Sequence, residues 1–319
     1  MPEVESEAES ESESEAAETP AMIANDNVYG TLESDAWRRD ITINALFYNP
    51  SDYTVVDYVG GMKDIQHEIV RVIGDPNVRF AEDPIRIWRS VRHAVKANFS
   101  IEEKTWEAVV SNRKLLSQAS QVRLFEEFKK DLLGGFFVDT CKVLQAAGLL
   151  EMLLPELSQL TPGLFLNHSA FVKLMGQFDE LNQAKDKRHT QVLGFALMAL
   201  TIRGQQLLST GQTKVDHNYK EMFNSHEEID TFLSHIFSSL MLPRKDREKI
   251  ESMLKNFWDL LQAGNGKEQG AAIRTVRIRD IEVDFSALMK MLAPDVAYKL
   301  RAGRVDRHTR FPRFKKSAR

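Results

Sequence analysis

A single cysteine, Cys141, stands among 319 residues, so no intramolecular disulfide can form and the chain fits a reducing compartment. Its spacing from Val138 and Leu144 marks it as a packed thiol on a core helix face. Long apolar runs are also missing. The longest, Val192 to Ile202, falls well short of the ~20 residues of a membrane span, and the N-terminus has neither the basic flank nor the apolar stretch of a secretory signal. A soluble, cytoplasmic protein with no membrane partner is expected. No glycine-rich phosphate loop, HExxH pair, Ser-His-Asp arrangement or cysteine cluster occurs, and the eight histidines suggest no metal site.

Charge is polarised along the chain. Residues 1 to 20 hold eight Glu and no basic residue, whereas residues 301 to 319 hold eight Lys or Arg against one acid, Asp306. The acidic stretch alternates Glu with Ser or Ala, offers little to bury, and is expected to be a disordered tail over 1–24. The basic stretch interleaves Arg304, Arg307, Arg310, Arg313, Lys315 and Lys316 with Phe311 and Phe314. It reads either as a solubilising tail or as an RNA-binding one, in which cations track the backbone while rings stack on bases.

Between these ends the first part mixes strand and helix signals and the remainder is helical. Asp35 is expected to cap a short helix running to Tyr48, with a strand over Ile41 to Ile43 as the alternative. Asn49 to Asp52 reads as a turn, Tyr53 to Tyr58 as a strand, and Ile69 to Ile73 as a second strand closed by Gly74-Asp75-Pro76. Asp83-Pro84 opens a helix whose apolar stripe is Ile85, Trp88, Val91 and Val95. Further helices are expected near 104–112, 122–133, 138–147, 192–203, 227–241 and 243–262.

Three segments carry chemistry. Arg38-Arg39-Asp40 offers forked donors for phosphate oxygens beside a carboxylate able to ligate a divalent metal or accept a ribose hydroxyl; alone, such a triplet is usually a helix with solvated charges. Asp57, Gly60, Gly61 and Asp64 describe a strand leaving through a turn that lets backbones approach closely. Glu82, Asp83 and Arg86 place two carboxylates and a guanidinium at one helix start, either as an internal salt bridge or as an acceptor and donor presented to a base edge. Arg123, Glu126 and Glu127 read as scaffold charges at helical spacing.

Taken in order, RRDITINALFY, VVDYVGGMKDI, EDPIRIWRSVRHAVK and VRLFEEFKK resemble the nucleotidyltransferases of the bacterial poly(A) polymerase and class II CCA-adding enzyme group, from about residue 26 to 157 and faintly beyond. The resemblance implies a mainly α fold: helical neck (76–157) and body (158–300) domains preceded by a small α/β remnant of a nucleotidyltransferase head (25–75), with 301–319 as the RNA-binding tail. It implies Asp40 as an active-site carboxylate and possible Mg²⁺ ligand, and Arg38, Arg39, Asn44, Asp83, Arg86, Arg89 and Arg92 as nucleotide-binding. Asp57, Gly60, Gly61 and Asp64 become a hinge between head and neck. The implied reaction transfers AMP from ATP to an RNA 3′ end, with Mg²⁺ as cofactor, and adenylation is expected over CCA addition. The group places a Gly-Gly or Gly-Ser segment and an Asp-x-Asp pair upstream of RRD, and residues 1 to 37 contain neither. Little activity is therefore expected from this chain alone, with a separately encoded catalytic head as a possible partner and a non-catalytic RNA-binding adaptor as the alternative.

Overall fold

The computed structural model describes residues 30–159, 169–184, 190–209, 221–262 and 282–292. The acidic tail, residues 25–29 and the basic tail, with Arg304, Arg307, Arg310, Arg313, Lys315 and Lys316, lie outside the described residues.

The described chain opens with a short helix, α1 (Leu32–Arg38), capped by Thr31, whose hydroxyl accepts from the Ser34 N–H at 3.2 Å. The expected cap, Asp35, lies inside the helix and pairs with Arg39 at 2.8 Å. Nor does the helix reach Tyr48. At Asp40 the side chain takes the N–H of Ile41 at 2.9 Å, a local bond that competes with helix continuation, and the β-branched run that follows forms a 3-10 turn (Thr42–Asn44). The chain then enters a hairpin of β1 (Leu46–Asn49) and β2 (Thr54–Asp57), antiparallel, with Leu46 opposite Asp57 and Asn49 opposite Thr54.

The Asp57 carboxylate ends the hairpin by accepting from the N–H groups of Val59, Gly60, Gly61 and Met62 at 2.8–3.1 Å, which starts α2 (Gly61–Gln66). Both glycines are required there. Gly60 has φ +85°, and a Cβ on Gly61 would lie 2.3 Å from the Thr42 carbonyl oxygen. Next, β3 (Ile69–Val70) pairs in parallel with β4 (Ser100–Ile101), and Ile41 bridges Val72.

The strand expected to run to Ile73 ends at Val70, Val72 adding only the bridge to Ile41, and Gly74-Asp75-Pro76 starts a helix. Asp75 accepts from Asn77 N–H at 2.9 Å, and Pro76 opens α3 (Pro76–Glu82), where its missing N–H costs nothing. Then come α4 (Ile85–Ala97), α5 (Glu103–Ser111), α6 (Gln121–Leu132), α7 (Phe137–Ala146), α8 (Leu150–Leu153), α9 (Pro155–Gln159), α10 (Ala170–Gln183), α11 (Gln191–Ser209), α12 (His226–Ile236), α13 (Arg244–Gln262) and α14 (Glu282–Leu292). The sequence reading missed α10, which buries a stripe of Phe171, Leu174, Met175 and Phe178.

One core runs from Ile41 to Leu292. Its centre is aromatic: Phe128 on α6 meets Trp88 of α4 at 6.2 Å, Phe137 of α7 at 5.5 Å and Phe195 of α11 at 5.7 Å, so four helices share one ring cluster. Buried Asp179 on α10 caps α7 by accepting from the N–H of Phe137 and Val138 at 2.9 and 3.0 Å. Among the described residues no helix is long and apolar enough to cross a membrane.

Candidate functional site

The 3-10 turn after α1 and the outward face of α4 converge on Asp40. Its carboxylate is only 7% exposed. Oδ1 accepts from the Ile41 N–H at 2.9 Å and from the Asn44 amide at 3.4 Å, while Arg89 Nε lies 2.8 Å from Oδ2 and His93 Nε2 lies 3.9 Å from it. The Arg89 contact is electrostatic rather than aligned, because neither Asp40 Oδ2 nor Arg89 Nε makes a hydrogen bond among the described residues. Burial opposes ionisation of Asp40, yet Arg89, His93, the Ile41 N–H and Asn44 together outweigh it and hold the carboxyl below its usual range. His93 moves down as well, through burial and the neighbouring Arg89, Arg92 and Lys96, with Asp40 pulling the other way. A neutral imidazole results, whose Nε2 accepts from the Asn44 amide at 3.2 Å.

Arg38 and Arg39 are exposed on the last turn of α1 and just beyond it. Arg39 keeps its pairing with Asp35 and lies 5.9 Å over the Phe47 ring. Beneath them Arg86 (α4) pairs with Glu82 at 3.0 Å and reaches the Arg38 carbonyl at 3.4 Å. Arg79 (α3) donates to the carbonyls of Trp37, Arg38 and Arg39.

The expected residues therefore divide. Asp40, Asn44 and Arg89 form one cluster, and Arg86 packs under the Arg38-Arg39 backbone. Asp83 instead accepts from Arg123 of α6 at 2.8 Å and from the Ile85 N–H at 3.2 Å; its link to Arg86 is the helical bond from the Arg86 N–H to the Asp83 carbonyl, 3.0 Å. Arg92 turns away altogether. Its guanidinium bonds Asp131 and Glu127 of α6, and Trp88 Nε1–H donates to the same Asp131. Steps of three along a helix drift about 60° per step, so Arg86, Arg89 and Arg92 fan around α4, and the residue sharing the face of Arg89 is His93, four positions on. Asp57, Gly60 and Gly61 form the tightly bonded turn described above. Asp64 is buried, accepting from the Thr42 hydroxyl at 2.7 Å and from Arg71 Nε at 3.1 Å, which ties α2 to the turn after Asp40.

Three contributors were missed in the sequence: His93, Arg79 and Arg123 in its role beside Asp83. The spacing of His93 from Arg89 was a usable signal for the first. The donor set does not amount to a Mg²⁺ site. No group of three His, Cys, Asp or Glu occurs among the described residues, and Asp40 is surrounded by Arg89, His93 and Asn44 rather than by further carboxylates.

Comparison with known proteins gives two family matches: "Poly A polymerase head domain" over residues 3–71 and "Probable RNA and SrmB- binding site of polymerase A" over residues 98–160. Poly(A) polymerase I of Escherichia coli O6:H1 is 43% identical over 138 residues, which is 43% of this chain and 30% of that protein. A CCA-adding enzyme of Pediococcus pentosaceus is 41% identical over 133 residues, 42% of this chain and 31% of that protein. These matches thus span about a third of either relative. A tRNA nucleotidyltransferase solved with a primer tRNA and an incoming ATP analog is 22% identical, covers 88% of this chain and 76% of that one, and superposes with a TM-score of 0.56, a likeness of fold.

Proposed function

We propose that the chain is a nucleotidyltransferase of the kind its matches describe, poly(A) polymerases and CCA-adding enzymes, and that it acts at RNA 3′ ends with ATP as the nucleotide. The observation that carries this reading is the pairing of an ionised, nearly buried Asp40, one oxygen of which lacks a hydrogen-bond donor among the described residues, with two exposed guanidiniums one and two positions before it. Arg38 and Arg39 can grip phosphate oxygens in forked geometry. Asp40 Oδ2 can accept from a hydroxyl, and Arg89, the Ile41 N–H and the Asn44 amide keep it charged. Arg89, 41% exposed, is free to turn its outer nitrogens to the ligand. Asp83, paired with Arg123, offers an acceptor suited to a base edge, while the Arg86 guanidinium is held by Glu82 and the Arg38 carbonyl.

In this reading residues 25–75 serve as the end of a nucleotidyltransferase head, with the turn at Asp57 to Asp64 leading toward the neck. Residues 76–157 are that neck, 158–300 the body, and 301–319 the basic RNA-binding tail. The metal ions of such a transferase stabilise charge on the attacking and leaving oxygens. Among the described residues Asp40 is the one carboxylate placed to serve such ions. ATP titration by calorimetry tests the nucleotide site: binding that Arg38→Ala with Arg39→Ala weakens by about tenfold supports it, on the scale of charge-assisted bonds, and no binding by the folded chain rejects it. CCA addition is the second reading, favoured by the Pediococcus relative; CTP binding as tight as ATP would select it. RNA binding without either nucleotide would select an adaptor.

A further inference from the structure

Arg79 is the best-connected side chain near the site that no motif singled out. Its Nη2 donates to three successive carbonyls, those of Trp37 at 3.3 Å, Arg38 at 3.1 Å and Arg39 at 3.1 Å. Nη1 pairs with Glu82 at 2.7 Å, and Glu82 also holds Arg86. The closing carbonyls of a helix have no N–H partner within it and carry negative partial charge, so a guanidinium set against them satisfies both needs. That placement has a cost. Arg79 is 16% exposed, and its Nε is buried without an acceptor among the described residues.

We propose that Arg79 is a positioning residue for the nucleotide end of the site. It fixes the backbone of residues 37–39, so that Arg38 and Arg39 leave toward solvent while the next residue, Asp40, turns inward to Arg89. A lysine cannot substitute, because one ammonium lacks the planar fork that spans three carbonyls and Glu82. The inference rests on the reading of Arg38, Arg39 and Asp40 as groups that face the nucleotide.

Two readouts on the full chain separate the two ideas. Amide exchange at Arg39, Ile41 and Thr42, whose N–H groups bond within or beside the clamped segment, is expected to speed by about tenfold in Arg79→Met, the loss of one charged hydrogen bond, with the α4 amides unchanged. ATP affinity is expected to fall by a similar factor, yet to fall little further when Arg79→Met is added to Arg38→Ala, because both act through one element. Arg79→Lys should move both readouts in the same direction by less, and it serves if the Met variant does not fold. Unchanged exchange, exchange that rises equally through α3 and α4, or fully additive affinity losses would overturn the positioning role. If the wild-type chain binds no ATP, the nucleotide reading falls, and localised exchange still decides whether Arg79 clamps the segment.

Discussion

Asp179 carries the clearest pH signature in the molecule. Burial, reinforced by Asp139, pushes its carboxyl up from 3.8 to about 6, and the two N–H donors of α7 offset this only in part. A carboxyl with a higher pKa folded than unfolded binds its proton more tightly in the native state, so stability is greatest below pH 4 for this group and declines as pH rises through 6. Two units correspond to about 3 kcal/mol. Urea midpoints at pH 5 and pH 7.5 should differ in that sense, and Asp179→Asn should remove most of the difference while losing one of the two acceptors. A midpoint that climbs with pH through this window in wild type alone would contradict the assignment. At the same scale, Asp40, Asn44 and Arg89 were legible in the sequence because their motifs name them. His93 offered only its four-residue spacing from Arg89, and Arg79 offered nothing, since an arginine capping carbonyls leaves no local pattern; both depend on contacts between segments 40 or more positions apart.

Among the elements, α4 explains why one arginine of a periodic set serves the fold. Arg92 neutralises Glu127 and Asp131 at the α4–α6 interface, so Arg92→Met leaves nearly buried Asp131 with only the Trp88 N–H and Glu127 with only Lys130, a loss of about 3 kcal/mol. Thermal melts should show that loss, with ATP affinity of the folded protein unchanged; an affinity drop at constant stability would return Arg92 to the nucleotide site. The hairpin makes a second prediction. Tyr48 and Val55 are 61% and 48% exposed on a two-stranded sheet and Tyr53 is 80% exposed in its turn, and exposed apolar strand edges favour association. Replacing Tyr48 and Val55 by Lys should raise the concentration at which light scattering begins by about twofold. Helices with unbroken apolar stripes, such as α6 and α13, were readable to within a residue or two. The end of α1 was not, because a side-chain bond from Asp40 to the Ile41 N–H competes with helix continuation over residues whose propensities allow either course.

For the whole molecule, charge placement and the single site carboxylate, Asp40, among the described residues govern behaviour. The basic residues of 301–319 predict RNA affinity that falls with salt on a log–log slope of roughly −5, as expected when about seven phosphates of a single strand are neutralised. Removing residues 301–319 should flatten the slope; an unchanged slope would place RNA elsewhere on the chain. The mainly helical architecture was visible from periodicity, but the single core joining residues 41 to 292 could be seen only once α11 was placed against α6, α10 and α13. The account as a whole is tested most directly by incubating the purified full chain with a labelled RNA primer, ATP and Mg²⁺ and resolving the products by length. It predicts no adenylate tail above background from this chain alone, and ATP- and Mg²⁺-dependent lengthening of the primer would contradict it.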